Sequence, residues 1–178
     1  LCMIEHIPAL LDAGIDSLKI EGRAKTAYYS AVITHAYRHA VDAALSGAEL
    51  APVWLEEVNK VSHRHYSTGF FFGRPEGGQY YDNSRYLRDW SVAAYVRACD
   101  EMGNAILTQR NRFWTGDTLE LLVPGQEPIS FVVNEMEDAE GKTITVAAHP
   151  EMEVHMHLPV KAVPNSILRR SNQSESSQ

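Results

Sequence analysis

The sequence predicts two successive folds. The first is α/β, the terminal strand–helix units of an incomplete (β/α) barrel; the second is all-β, a small closed β-barrel. Three observations predict this. A short apolar alternation at "DSLKI" (residues 16–20) runs almost directly into a long amphipathic helical pattern. From Trp90 to Arg170, short apolar runs recur between turn-forming clusters. One strand–helix unit cannot close a barrel, so the other strands are expected ahead of Leu1, which is not an initiator Met.

Each element has a local reason. Ile4, Ile7, Leu10 and Leu11 repeat at helical spacing over residues 4–14, and Gly14 supplies the C′ stop. In the strand that follows, side chains alternate, so Lys19 and Glu21 point one way and Leu18 and Ile20 the other. The next helix puts Tyr29, Val32, Ile33, Ala36, Tyr37, Ala40, Val41 and Ala44 on one face and ends at Gly47. Residues 52–62 form a further short helix. Residues 63–89, rich in Gly and aromatics, form an ordered connecting loop. The β region is expected to hold strands at 91–100, 104–109, 118–122, 130–136, 143–147 and 154–159. "EMGN", "TGD", "PGQEP", "EDAEGK" and "HPEM" turn the chain between them. The domains are placed at 1–83 and 84–170, with a disordered polar tail at 171–178.

Composition narrows the function classes. The 178 residues are 44% hydrophobic and 22% charged, with a net charge of −7. That is a globular composition. Its acidity argues against holding nucleic acid by bulk charge, while leaving room for a local basic face. No apolar run approaches the ~20 residues of a membrane helix. "LCMIEHIPAL" has no basic stretch of the kind that opens a signal peptide. Two distant cysteines, Cys2 and Cys99, make no disulfide framework, so a reducing cytoplasm is the expected location.

Several segments carry a family resemblance: "LCMIEHIPALLDAGIDSLKIEGR", "SLKIEGRAKTAYYSAVITHAYRHAVD", "VSHRHYSTGFFFG", "QRNRFWTGDTLELLVPG" and "NSILRR". Through them the chain resembles peptidase family U32, as the end of its α/β-barrel domain followed by its C-terminal β-barrel. Within that family it is most similar to the bacterial group associated with hydroxylation of an anticodon uridine in tRNA. The older family label is collagenase-like protease, a hydrolase. The resemblance implies a [4Fe-4S] cluster with four cysteine ligands. Cys2 matches the last of these, which makes it the cofactor- and metal-binding residue; the other three would lie upstream. It also implies prephenate, a dicarboxylate, as a possible co-substrate and tRNA as partner. The peptidase alternative implies a polypeptide substrate bound by the β-domain. Either way the parent protein is an enzyme and the fragment alone is expected to be inactive, close to a binding module. Cys99 matches no family motif and is assigned to the core.

Residue chemistry marks further candidates. In an α/β barrel, reacting groups gather where strands end. Glu21 and Arg23 stand there, Gly22 between them allows a tight turn, and Arg23 can fork onto a carboxylate or phosphate. An ion pair capping the next helix is the competing reading of Glu21 and Arg23. Lys19 shares the Glu21 side and is a substrate- or RNA-binding candidate. His63 and Arg64 are catalytic candidates at the barrel mouth. Tyr66 and Phe70 to Phe72 can stack on bases or cement the two domains. Arg110 and Arg112, with Phe113, Trp114, Arg169 and Arg170, are candidates for an RNA-contacting patch. His155 and His157 share a strand face, but two histidines do not make a metal site.

Overall fold

The computed structural model describes residues 1–74 and 89–172. The chain divides into two compact units, Leu1–Asp89 and Trp90–Gln178. The boundary expected at residues 83 and 84 lies outside the described residues.

The first unit is built from helices. A single 3-10 turn, Ile4–His6, leads into α1 (Ile7–Asp12). Gly14 closes α1 at φ +80°, and the amides of Gly14 and Ile15 return to the carbonyls of Leu11 and Leu10. The long α2 (Ala27–Ser46) opens on Thr26, whose Oγ1 accepts from the Tyr29 amide at 3.3 Å. It ends at Gly47, φ +72°, with the Ala48 amide bonded to the Ala43 carbonyl. The third helix, α3 (Pro52–Glu57), starts with Pro at its first turn. It is shorter than expected because Asn59 and Lys60 bond back three residues, tightening its end into turns. Val32, Ile33, Ala36 and Ala40 of α2 are buried, as are Ile4, Ile7 and Trp54. Trp54 stacks on His39 at 3.8 Å between ring centres.

The strand expected at 16–20 does not form. Residues 15–22 adopt no regular element. A strand needs a neighbour to take its backbone hydrogen bonds, and none pairs with this segment among the described residues. The alternation itself survives: Leu18 and Ile20 are half-buried while Lys19 and Glu21 are exposed. Among the described residues no ladder carries the barrel expectation.

The second unit is all-β. Its strands are β1 (Trp90–Cys99), β2 (Asn104–Gln109), β3 (Phe113–Trp114), β4 (Thr118–Leu122), β5 (Ile129–Val132), β6 (Met136–Glu137), β7 (Thr143–Ile144), β8 (Val146–Ala147), β9 (Glu153–His157) and β10 (Ile167–Ser171). Eight form one curled antiparallel sheet in the order β5-β4-β10-β1-β2-β9-β6-β7; β3 and β8 pair separately. The outer strands β5 and β7 do not pair with each other, so this is a half-barrel rather than the closed barrel expected. The β3–β8 ribbon lies beside both edges: the Thr115 amide reaches the Thr145 carbonyl, and Gly116 reaches Val133. Leu107, Phe113, Leu119, Leu121, Met136 and Leu168 fill the core without solvent exposure. The run expected at 130–136 divides into β5 and β6, and that at 143–147 into β7 and β8. Ser171, expected to begin a disordered tail, ends β10 and pairs with Trp90. Residues 173–178 lie outside the described residues.

Candidate functional site

The first unit contains a cleft of about 480 Å³. Three stretches wall it. Helix α2 contributes Tyr29, Ile33 and Tyr37, one residue per turn at i, i+4 and i+8. The unpaired segment contributes Leu18, Lys19, Ile20 and Glu21, and the N-terminus contributes Leu1, Cys2 and Met3. Leu10, Ile15 and Ser17 also line it, as do Tyr66 and Phe71. Cys2 is tied to the last stretch through its amide, which donates to the Ser67 carbonyl at 2.9 Å.

The cleft chemistry centres on Cys2 and the tyrosines. Cys2 Sγ lies 3.6 Å from Tyr37 Oη, and the Met3 amide donates to the same oxygen at 2.8 Å. Burial raises the Tyr37 pKa well above the ordinary phenol value; the Met3 amide opposes this and the Cys2 contact adds to it. Tyr66 is raised in the same way, first by burial and then by neighbouring Tyr29, Cys2 and Tyr37. Tyr29 shifts upward through burial, then through Cys2 and Glu21. These phenols are therefore neutral at physiological pH. Tyr66 donates its hydroxyl proton to the Val58 carbonyl at 2.7 Å.

Five of the residues singled out in the sequence meet in this cleft: Cys2, Lys19, Glu21, Tyr66 and Phe71. Arg23, His63 and Arg64 are not among its lining residues. The Arg23 amide donates to Glu21 Oε1 at 2.8 Å, so Glu21 closes the Glu-Gly-Arg turn on itself. No Glu21–Arg23 side-chain ion pair is present in this turn; the contact runs from carboxylate to backbone. His63 is buried, its Nδ1 set 2.8 Å from the Val61 carbonyl, and it stacks on Tyr66 at 4.5 Å. One face of Tyr66 is thereby covered, which leaves it less able to receive a base. Lys25 reaches the Ser62 carbonyl at 2.9 Å and lies over the Tyr29 ring. Tyr29 and Tyr37 were not singled out by sequence reasoning, because they sit on the apolar face of α2. Their spacing along one face was the available signal.

In the second unit the expected basic patch comes apart. Arg169 is fully buried and places Nε and one terminal nitrogen 2.9 and 2.6 Å from Glu120 Oε2, beneath Trp90. Phe113 is also fully buried. Neither is available to RNA. Arg170 is largely buried and lies 3.4 Å from Asp117, with Trp114 against its guanidinium. Arg110 and Arg112 are exposed, and Arg110 pairs with Glu151 at 2.9 Å. Cys99, expected in the core, is partly buried against it. His155 pairs with Glu153 at 2.8 Å, and His157 Nε2 sits 2.8 Å from the Met102 carbonyl.

Comparison with known proteins places both units. The model of peptidase family U32 matches residues 1–80, and that of the family's C-terminal domain matches residues 88–169. The chain belongs to peptidase family U32. Among its relatives is the tRNA hydroxylation protein P1 of Bacillus subtilis, 32% identical over 173 residues, covering 94% of this chain and 41% of that protein. The tRNA hydroxylation protein P of Escherichia coli is 33% identical over 162 residues, covering 88% of this chain and 35% of that one. This U32 chain thus spans less than half the length of either relative. A solved structure, the C-terminal domain of a Geobacillus thermoleovorans U32 peptidase, is 30% identical; the match covers 45% of this chain and 99% of that domain, with a TM-score of 0.43.

The iron–sulfur cluster expected for this U32 chain can be tested against the residues present. A [4Fe-4S] cluster takes four thiolates. The cleft offers one, Cys2, while Cys99 stands on β1 in the other unit. These residues fit one corner of such a cluster. Among the described residues no group of three or more His, Cys, Asp or Glu is arranged to hold a metal ion. No helix among them is long and apolar enough to cross a membrane.

Proposed function

We propose that this chain is the C-terminal part of a cytoplasmic U32 enzyme that hydroxylates a uridine in the tRNA anticodon. In this reading its helical unit supplies one wall of the reaction cleft. The observation that carries the reading is the convergence of Cys2, Lys19, Glu21 and three tyrosines on one cleft, in a chain similar over most of its length to tRNA hydroxylation proteins.

In this reading Cys2 is one thiolate ligand of an iron–sulfur cluster whose other ligands come from elsewhere in the U32 enzyme. The cluster would supply the redox chemistry. The chain's own residues bind and orient. Lys19 offers a cation inside the cleft to a carboxylate of prephenate, the co-substrate assigned by this proposal, and Arg23 stands beside the rim as a second anion partner. Glu21 braces the turn that presents Arg23. Buried His63 fixes Tyr66 by stacking, and Arg64 is held at the exposed surface next to it. Arg110 and Arg112 contact the RNA backbone from the second unit. The peptidase alternative fits the cleft less well. A cysteine nucleophile wants a base beside it, and the group 3.6 Å from Cys2 Sγ is the phenol of Tyr37, whose pKa burial raises.

The deciding experiment is mass spectrometry of tRNA nucleosides from a strain lacking the gene. Loss of hydroxyuridine, restored by the full-length gene but not by its Cys2→Ser form, is the expected result. Unchanged hydroxyuridine in the deletion strain overturns the proposal.

A further inference from the structure

Residues 35–39 read "HAYRH", two histidines about one helical turn apart. On α2 the i, i+4 spacing brings both rings to one side, and their Nε2 atoms stand 3.2 Å apart. The ring planes are inclined at 58° with centres 4.9 Å apart, so the rings meet at these nitrogens. Trp54 of α3 holds the pair in place. It stacks flat on His39, with 3.8 Å between centres and 8° between planes, and meets His35 edge-on at 5.0 Å. Trp54 is buried, while both histidines are half-buried rather than enclosed. Tyr37 lies between them in sequence but lines the Cys2 cleft. At about 100° per residue the histidines occupy another side of α2, and neither lines that cleft.

The separation selects a ligand. Two imidazole nitrogens bound to one ion at about 2.0–2.1 Å stand roughly 2.9 Å apart across a right-angled corner and roughly 3.4 Å apart across a tetrahedral one. The observed 3.2 Å falls between these. Imidazole suits zinc, nickel and copper, and two histidines at i, i+4 on one helix face are a metal-chelating arrangement. A proton shared between the two rings holds the position an ion would take. With both rings carrying their proton on Nδ1, both Nε2 lone pairs face that position. The histidines of β9 lack this geometry. His155 Nε2 is set on Glu153 and His157 Nε2 on the Met102 carbonyl.

We propose that His35 and His39 form a two-nitrogen clamp for a divalent transition-metal ion, with Trp54 holding the rings in register. No third His, Cys, Asp or Glu completes the set among the described residues, so water fills the ion's other positions. The clamp is therefore an exchanging site, unlike a closed structural zinc centre with four protein ligands. The bound ion bridges successive turns of α2 and stiffens the seam between α2 and α3 around Trp54. This proposal stands on the geometry of the chain alone and is independent of the tRNA reading.

The test is a nickel(II) titration of the whole chain, free of any histidine tag, read by tryptophan fluorescence and by calorimetry. Trp54, stacked on one of the ligands, is expected to be quenched saturably. Trp54→Phe is expected to abolish that quenching while calorimetry still records binding. Zinc(II), which does not quench, is expected to compete and restore the emission. His39→Ala and His35→Gln are each expected to weaken nickel binding about tenfold or more, at least the loss that follows removal of an outer partner of a metal ligand. His35→Gln leaves the His39–Trp54 stack in place, which keeps the test valid if His39→Ala fails to fold. Saturating nickel is expected to raise the melting temperature of the wild-type chain and not that of His35→Gln. Absence of a saturable response overturns the clamp, as does nickel affinity that ignores His35→Gln.

Discussion

The Met3 amide donates to Tyr37 Oη, and the same oxygen lies 3.6 Å from Cys2 Sγ. Tyr37 is therefore a hydrogen-bond partner of Cys2 and an anchor for the N-terminal segment at once. Tyr37→Phe removes both roles and leaves the amide of buried Met3 without its acceptor. The expected cost is about 1–3 kcal/mol. Urea denaturation followed at the helical circular-dichroism band reads it; coincident curves for variant and wild type would show that the contact adds nothing.

The same tyrosines give the chain a weakness toward base. The folded pKa values of Tyr29, Tyr37 and Tyr66 all lie above the free value, mainly through burial. A group raised in the folded state favours folding fully below its unfolded pKa, about 10 for tyrosine. Above that value the unfolded chain releases its proton first, so stability falls as pH climbs toward the folded pKa. Stability is thus expected to hold from pH 8 to 9.5 and to decline beyond 10. Melting temperatures across that range, beside the phenolate absorbance at 295 nm, test this. A late-titrating set of phenols should appear only while the chain is folded.

Two ion pairs of similar sequence appearance should differ sharply. Arg38 and Asp42 sit one turn apart on α2 with both side chains more than half exposed. Asp42→Ala should cost under about 0.5 kcal/mol, because water and salt screen the pair. Arg169 is fully buried on β10, and its partner Glu120 is only 18% exposed. Glu120→Ala removes a carboxylate paired with a buried guanidinium and should cost about 3–5 kcal/mol. Equal losses in chemical denaturation would contradict the burial assigned to Arg169.

Arg169 also shows where the sequence stops being legible. Two adjacent arginines after "NSIL" look like a solvated strand end. In the structure they lie on β10, between β4 and β1 in the sheet, where long-range pairing decides burial. Nothing local announces that Glu120, 49 residues away, will meet Arg169. Helix ends were readable for the opposite reason: Gly14 and Gly47 act on their own turns. Strands β2 and β4 were readable from alternation bounded by turns, down to their end residues. "DSLKI" had the alternation but has no neighbour among the described residues, and a ladder cannot be inferred from one of its rails. In the cleft, Cys2, Lys19 and Glu21 were recognisable as chemistry. Tyr29 and Tyr37 were hidden because a tyrosine on an apolar helix face reads as core until its hydroxyl finds a partner.

Gly103 carries the most severe single-residue constraint in the second unit. It sits in the turn between β1 and β2 at φ +90°, and a Cβ there would stand 2.6 Å from the Leu158 carbonyl oxygen. That obstacle is backbone, so no rotamer change relieves it. The Gly103 carbonyl also accepts from the Leu158 amide at 2.8 Å, which ties the β1–β2 turn to the end of β9. Gly103→Ala must strain φ, push Leu158 away or break that bond, and about 2 kcal/mol or more of stability should go with it. Gly125 offers the contrast: its φ is +81°, but nothing lies within 4 Å of an added Cβ. Gly125→Ala should lose only the backbone term, about 1 kcal/mol. Thermal melts of the two variants side by side decide the matter. If Gly103→Ala proves no worse than Gly125→Ala, the close approach of Leu158 is not a feature of the folded chain.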